Sequence, residues 1–186
     1  MSEANFRRGL RSAVRGLWSK VINESQFIDA MQSAIQRNLT VAWQEGATEC
    51  GISADELSEA EIEARDAFID DQFTYLSGFG DAIVENGDNR LKDLYSRIEL
   101  WVNRYGEIRD KAKAMACADQ KLEWRINVRC KEHCSSCTRL NGKVKRGSYW
   151  NKTILPRSRD LECGGWRCCC SLMVTDKPVS KGKLSW

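Results

Sequence analysis

Residues 130–144 read C-K-E-H-C-S-S-C-T-R-L-N-G-K-V, and residues 161–174 read L-E-C-G-G-W-R-C-C-C-S-L-M-V. Together they hold seven of the nine cysteines and the only histidine of the 186-residue chain. Cys134-x-x-Cys137 has the spacing of a metal knuckle, in which two thiolates on one tight turn reach the same ion. Cys163, Cys168 and Cys170 are candidates for the remaining ligands of a tetrahedral zinc site. If residues 168–174 are extended, Cys168, Cys170, Leu172 and Val174 share one face and Cys169 points away. Gly164-Gly165 can turn the chain sharply enough to close a second knuckle. Cys134, Cys137, Cys163 and Cys168 make one quartet, with Cys170 competing for the last place. His133 is an alternative ligand and Cys130 a weaker one. Four protein ligands leave no position for water, so such an ion is structural and supports a module too small to bury enough apolar surface alone.

A disulfide framework is the competing reading. Disulfides suit small secreted chains, and residues 1–20 alternate arginines with apolar residues instead of forming the apolar core of a secretory signal. Nine is also an odd number of cysteines.

Just before the first knuckle, Leu122, Trp124, Ile126 and Val128 alternate with polar residues, which is the pattern of a half-buried strand. Asn141-Gly142 is a hairpin-turn signal between Leu140 and Val144. The last strand is expected over 168–175, and residues 179–186 read as a loose tail.

Upstream the period is helical. Phe6, Leu10, Ala13, Val14, Leu17, Trp18 and Val21 form one stripe beside four arginines, and it is expected to pack on neighbouring helices. Asn23 with Gln26, and Ser58 with Glu61, are capping-box signatures that open the next two helices. The second helix carries Phe27, Ile28, Met31, Ile35, Leu39, Ala42 and Trp43, and ends near Gly46 and Gly51. Cys50 stands alone and reads as a small packing residue. The third is expected to run from Ile62 to Val84, bent or closely approached at Gly78 and Gly80. After a turn at Asn86-Gly87-Asp88, a fourth runs from Leu91 through Ile108 toward Cys117. The fold class is therefore mainly α: an elongated antiparallel helical bundle over 1–118, a small α+β zinc-binding module with short strands over 119–178, and the tail.

The net charge of +3 conceals an asymmetry. Residues 1–44 carry six basic and three acidic side chains, 45–100 four and fifteen, and 101–186 nineteen and eight. The acidic cluster around Glu59–Asp71 sits in the first half of a helix, where the macrodipole favours negative charge, and is assigned no catalysis. Lys143, Lys145 and Arg146 are candidate nucleic-acid contacts, because the basic segment coincides with the cysteines. No apolar run approaches the ~20 residues that span a bilayer, so no membrane partner is expected. The single histidine lies among the cysteines, no glycine-rich phosphate loop is present, and no enzyme is expected.

At E-H-C-S-S-C-T-R-L-N-G-K-V and L-E-C-G-G-W-R-C-C-C-S-L the chain resembles the head-morphogenesis, or minor head (minor capsid), family of tailed bacteriophages. Cys134 and Cys137 match that family's first motif, Leu140 and Gly142 its turn, and Cys163, Gly164, Gly165, Cys168 and Cys170 its closing motif. Trp124 and A-W-Q-E-G at 42–46 also look like the family. The closing motif departs from the family's His-Pro-x-Cys-Arg-Cys: Cys163 stands for the histidine, and the order is Arg167-Cys168-Cys169-Cys170. The resemblance implies a structural virion component, assembled in the host cytoplasm and bound near the portal vertex. Its partners would be portal or capsid shell proteins, with packaged DNA touched non-specifically, and its role would lie in head assembly, DNA packaging or ejection. The alternative is a cytoplasmic zinc-ribbon regulator that binds nucleic acid.

Overall fold

A computed structural model describes residues 3–85, 90–127, 133–166 and 168–186. The chain is mainly helical, with a small three-stranded sheet near the C-terminus. Helix α1 spans Glu3–Trp18 and buries Phe6, Leu10, Ala13, Val14 and Leu17, while Trp18 and Val21, the last members of the expected stripe, are exposed. Its arginines serve the flank: Arg7 and Arg11 reach the Glu99 carboxylate at 3.0 and 3.1 Å. Helix α2, Glu24–Thr48, opens on the expected Asn23–Gln26 capping box, and α3, Glu59–Phe73, on the Ser58–Glu61 box.

The long third helix is in fact two. The chain breaks at Thr74-Tyr75 and resumes as α4, Leu76–Glu85. At the break the Thr74 hydroxyl donates to the Asp71 carbonyl at 2.8 Å, and the Trp101 indole N–H takes the Gln72 carbonyl at 3.3 Å. Side chains thus occupy carbonyls that a continuing helix would have used. The glycines do not make the bend. Gly80 instead gives room to Phe27, whose ring lies 3.5 Å from where a β-carbon would stand. The turn expected at 86–88 lies outside the described residues.

Helix α5, Leu91–Ala116, is capped by Cys117. It pairs most extensively with α2, and α1, α3 and α4 pack around that pair. The approach is tightest at Gly46, where a β-carbon would stand 2.1 Å from the Arg109 carbonyl oxygen. The main core runs from Phe6 through Phe27, Trp43 and Phe79 to Trp101 and Ala112. Cys50 is not the lone packing residue expected: it is disulfide-bonded to Cys117, with the Cα atoms 5.4 Å apart, and ties the end of α2 to the end of α5.

Beyond α5 the elements are short: β1 (Lys121–Arg125), α6 (Ser135–Leu140), β2 (Val144–Arg146), α7 (Gly147–Thr153) and β3 (Ser171–Val174). The strand order is β2-β1-β3, antiparallel throughout, with Leu122 opposite Lys145 and Trp124 opposite Leu172. A second core, from Ala114 to Leu184, gathers Leu122, Trp124, Leu140, Trp150, Leu161 and Leu172. Val128 of the expected strand lies outside the described residues. Asn141-Gly142, with Gly142 at φ +77°, joins α6 to β2, so the turn follows a helix and is not a strand-to-strand hairpin.

The segment after Pro178, expected to be loose, is tied down. Ser180 exchanges hydrogen bonds with Val144, donating its N–H at 2.9 Å and accepting on its hydroxyl at 3.0 Å, and Leu184 is buried in the second core. No helix among the described residues is long and apolar enough to cross a membrane.

Candidate metal centre

The first knuckle is built on a helix. Cys134 is the N-cap of α6, and its sulfur accepts the backbone N–H of Cys137 at 3.4 Å. One helical turn then sets Cys134 and Cys137 on the same face. The second motif is bound to the start of this helix through Glu162, whose carboxylate accepts from the Ser135 N–H at 2.8 Å and from the Ser135 hydroxyl. Those two bonds, hydroxyl first, hold the Glu162 carboxyl below its usual range. Gly164 (φ +56°) and Gly165 (φ +73°) supply the expected sharp turn. Gly165 has a second reason to lack a side chain, since a β-carbon there would lie 2.0 Å from the Arg157 carbonyl oxygen.

These supports bring all five expected thiols to one place. They form two groups, Cys134–Cys137–Cys163 and Cys137–Cys168–Cys170, each with its sulfurs within 4.8 Å of one another. Cys137 belongs to both, and its sulfur lies 3.7 Å from that of Cys168. A tetrahedral ion with metal–sulfur bonds of about 2.3 Å holds its sulfurs about 3.8 Å apart, so this pair already has a ligand separation. The thiols line a cavity of about 330 Å³ together with His133, Trp166 and Cys169, so Cys169 does not face away from the site as expected. His133 belongs to neither group of three. Cys169 is itself disulfide-bonded, and Cys130 lies outside the described residues.

The electrostatics show what the cluster lacks when it holds only protons. Hydrogen bonds from Cys137 and Cys170 draw the Cys168 thiol down to about 2, while Cys137, which shares its proton with Cys168, is pushed far up. Burial raises Cys163 to about 11. Against burial, hydrogen bonds from Cys137 and Cys163 also hold the Cys134 thiol below its usual value. Thiolates therefore form readily at Cys168 and Cys134, and each further one must form beside them in a poorly hydrated site. A cation supplies the missing charge, and the donor set of closely spaced sulfurs suits a soft or borderline metal. The cysteine clusters can therefore hold a metal ion.

A buried ionic seam positions the second group. Arg157, in the left-handed region at φ +66°, donates from Nε to the Cys168 carbonyl at 3.1 Å, and its Nη1 lies 3.6 Å from Oδ2 of the fully buried Asp110. Asp110 also accepts the Leu172 N–H at 3.0 Å, and Lys113 donates to the Leu172 carbonyl at 2.6 Å and pairs with Glu49 at 2.5 Å. Burial raises the Asp110 carboxyl above its ordinary value, with Arg157 and Lys113 pulling it back. Sequence reasoning missed Asp110, Lys113, Arg157 and Glu162. The first two lie within an amphipathic helix and the others in polar loops, so neither period nor spacing marked them.

The three candidate nucleic-acid contacts are placed differently. Lys143 and Arg146 are exposed, Arg146 lying 3.6 Å from Asp119. Lys145 is buried, with its ammonium donating to the carbonyls of Ser180 and Gly182 at 2.7 and 2.8 Å and lying over the Tyr149 ring. The fold and site thus define a mainly helical protein with a C-terminal cysteine module. The chain matches no family model, no curated protein and no solved structure.

Proposed function

We propose that this chain is a structural minor head protein of a tailed bacteriophage, acting at the portal vertex in head assembly or in DNA packaging or ejection. Its cysteine module would hold one structural zinc ion through Cys134, Cys137, Cys163 and either Cys168 or Cys170. The observation that carries the reading is the convergence of both motif halves on one thiol cluster, fixed against the end of a long helical body. These are the residues on which the resemblance to the minor head family rests. Zinc suits the donor set, since thiolates at this separation and a closed tetrahedral shell are what a structural zinc ion requires.

The helices would engage the portal or the inner shell, and the module would present Lys143 and Arg146 to packaged DNA. The deciding experiment is a density gradient of lysate from cells producing the phage, with every fraction probed for this chain. Sedimentation with procapsids or full heads is expected. A chain found only at the top of the gradient removes the head-protein reading, and selective binding to one DNA sequence would replace it with the zinc-ribbon regulator. The DNA clause has its own test. K143E/R146E should weaken DNA binding and flatten its salt dependence, and unchanged binding across a salt series refutes it.

A further inference from the structure

Away from the thiols, a cavity of about 560 Å³ opens where the α3–α4 break meets α5 and the loop bearing Arg159. That size is within the range of small-ligand sites. Arg97, Trp101 and Arg104 lie four and three residues apart along α5, so they share one face of the helix. Trp101 is buried and forms part of the lining, whereas Tyr75 and Leu100, also in the lining, are 47% and 43% exposed. Large apolar groups are therefore left open beside converging guanidinium groups.

The charges around the cavity decide what it can take. Arg104 is paired with Glu107, and Arg159 with Asp71 at 3.3 Å. Arg159 also donates to the Tyr75 hydroxyl at 3.1 Å. Arg97 lies 4.6 Å over the Phe79 ring and has no carboxylate partner among the described residues. One positive charge is thus uncompensated. A phosphate dianion would bring two negative charges against one. A carboxylate matches a single free guanidinium in charge and in its planar, two-pronged geometry. The exposed tyrosine and leucine call for an apolar body behind it.

We propose that this cavity binds a single carboxylate carried on a flat apolar group. Two sources share that chemistry: a free arylalkanoic acid, and an aromatic residue adjacent to Glu or Asp on a protein segment. The site is independent of the thiol cluster and of the head-protein reading.

The test is fluorine NMR of the full chain with two probes, 4-fluorophenylacetate and an N-acetylated, C-amidated dipeptide of 4-fluorophenylalanine and glutamate. The neutral 4-fluorophenylacetamide and inorganic phosphate serve as controls. Saturable broadening of at least one acid is expected, with the tighter of the two naming the source. R97Q should weaken binding about tenfold or more, since it removes a charge-assisted bidentate contact. G78L, which adds a side chain at the cavity lining where nothing lies within 4 Å of a β-carbon, should obstruct the cavity while leaving the Arg97 charge in place. Helical circular dichroism verifies that both variants fold. The proposal is overturned if neither acid binds saturably, if the amide binds as well as the acid, if R97Q and G78L bind like the wild type, or if phosphate displaces the acid at equal concentration.

Discussion

Gly106 on α5 is the position from which the seam between helices and module can be tested with one methyl group. The Arg157 guanidinium fills the space beside this glycine. A β-carbon there would stand 1.5 Å from Nη1, 2.0 Å from Cζ and 2.7 Å from Nε, so Gly106→Ala must expel the whole group. Two interactions leave with it: the ion pair to Asp110, whose side chain is 0% exposed, and the hydrogen bond to the Cys168 carbonyl. Removing one partner of a buried pair costs about 3–5 kcal/mol. Asp110 keeps Lys113 nearby and the Leu172 N–H, so the lower end applies, about 3 kcal/mol. The ~1 kcal/mol that alanine gains over glycine in a helix offsets part of it, leaving a net loss of about 2 kcal/mol, or roughly 4–8 °C in Tm for a chain of this size.

Thermal or urea unfolding followed by circular dichroism measures the loss. The control is the same substitution in an Arg157→Ala background. There the space is empty, and replacing a helical glycine by alanine should stabilise by up to ~1 kcal/mol. The effect of G106A therefore changes sign between the two backgrounds. A G106A protein within ~0.5 kcal/mol of wild type, the scatter of neutral surface changes, would refute the reasoning, as would an equal loss in both backgrounds.

Cys137→Ser removes the sulfur common to both thiol groups, so it should abolish metal binding, whereas C170S should leave a site able to bind with lower affinity; metal content after dialysis distinguishes them, and equal retention by both would contradict the shared role. C50S/C117S should destabilise the chain by about 4 kcal/mol, from the closure entropy of a loop spanning 67 residues, as read by urea unfolding under non-reducing conditions. Glu123 titrates below its ordinary value of 4.5, mainly because Lys177 donates to it, so its folded pKa is below its unfolded one. Its contribution is full above the unfolded value and is lost as pH falls through the folded one. Unfolding of wild type should accordingly steepen with acidity below about pH 4.5, and K177A should flatten that dependence.

The local part of this fold was legible in the sequence. Both capping boxes formed on the residues that announced them, because a cap is satisfied within three residues. The stripe from Leu91 to Cys117 was readable for the same reason: its period is a property of one helix. Strand alternation sorted Cys168 and Cys170 inward although the strand itself begins only at Ser171. The five thiols were legible as a set because two cysteine motifs with flanking turns have few other uses.

What the sequence hid is long-range or competitive. Nothing near Cys50 points to Cys117. The break at Thr74 depends on Trp101 taking a carbonyl from 29 residues away. Lys145 has the pattern of an exposed base, and only the folded tail reveals it as a buried clamp on Ser180 and Gly182.

The seam also bears on where the module ends. In an antiparallel pair, alternate residues turn their N–H and C=O groups away from the partner strand. Leu172 stands opposite Trp124 in this ladder, and both its backbone groups go to α5: the N–H to Asp110 and the carbonyl to Lys113. Two charged side chains of the helix thus cover the outer edge of β3, where an open strand would otherwise expose unpaired groups. Leu172 is two residues from Cys170, and the neighbouring Arg157 fixes Cys168 by its carbonyl. The positions of these two sulfurs are therefore set by α5 as much as by the sheet. A division at residue 118 leaves Ala114 and Cys117 of the second core on the helical side and cuts the contacts that hold the second thiol group in place. The helical body is part of the thiol site's support, which gives a physical reason for both to be carried on one chain.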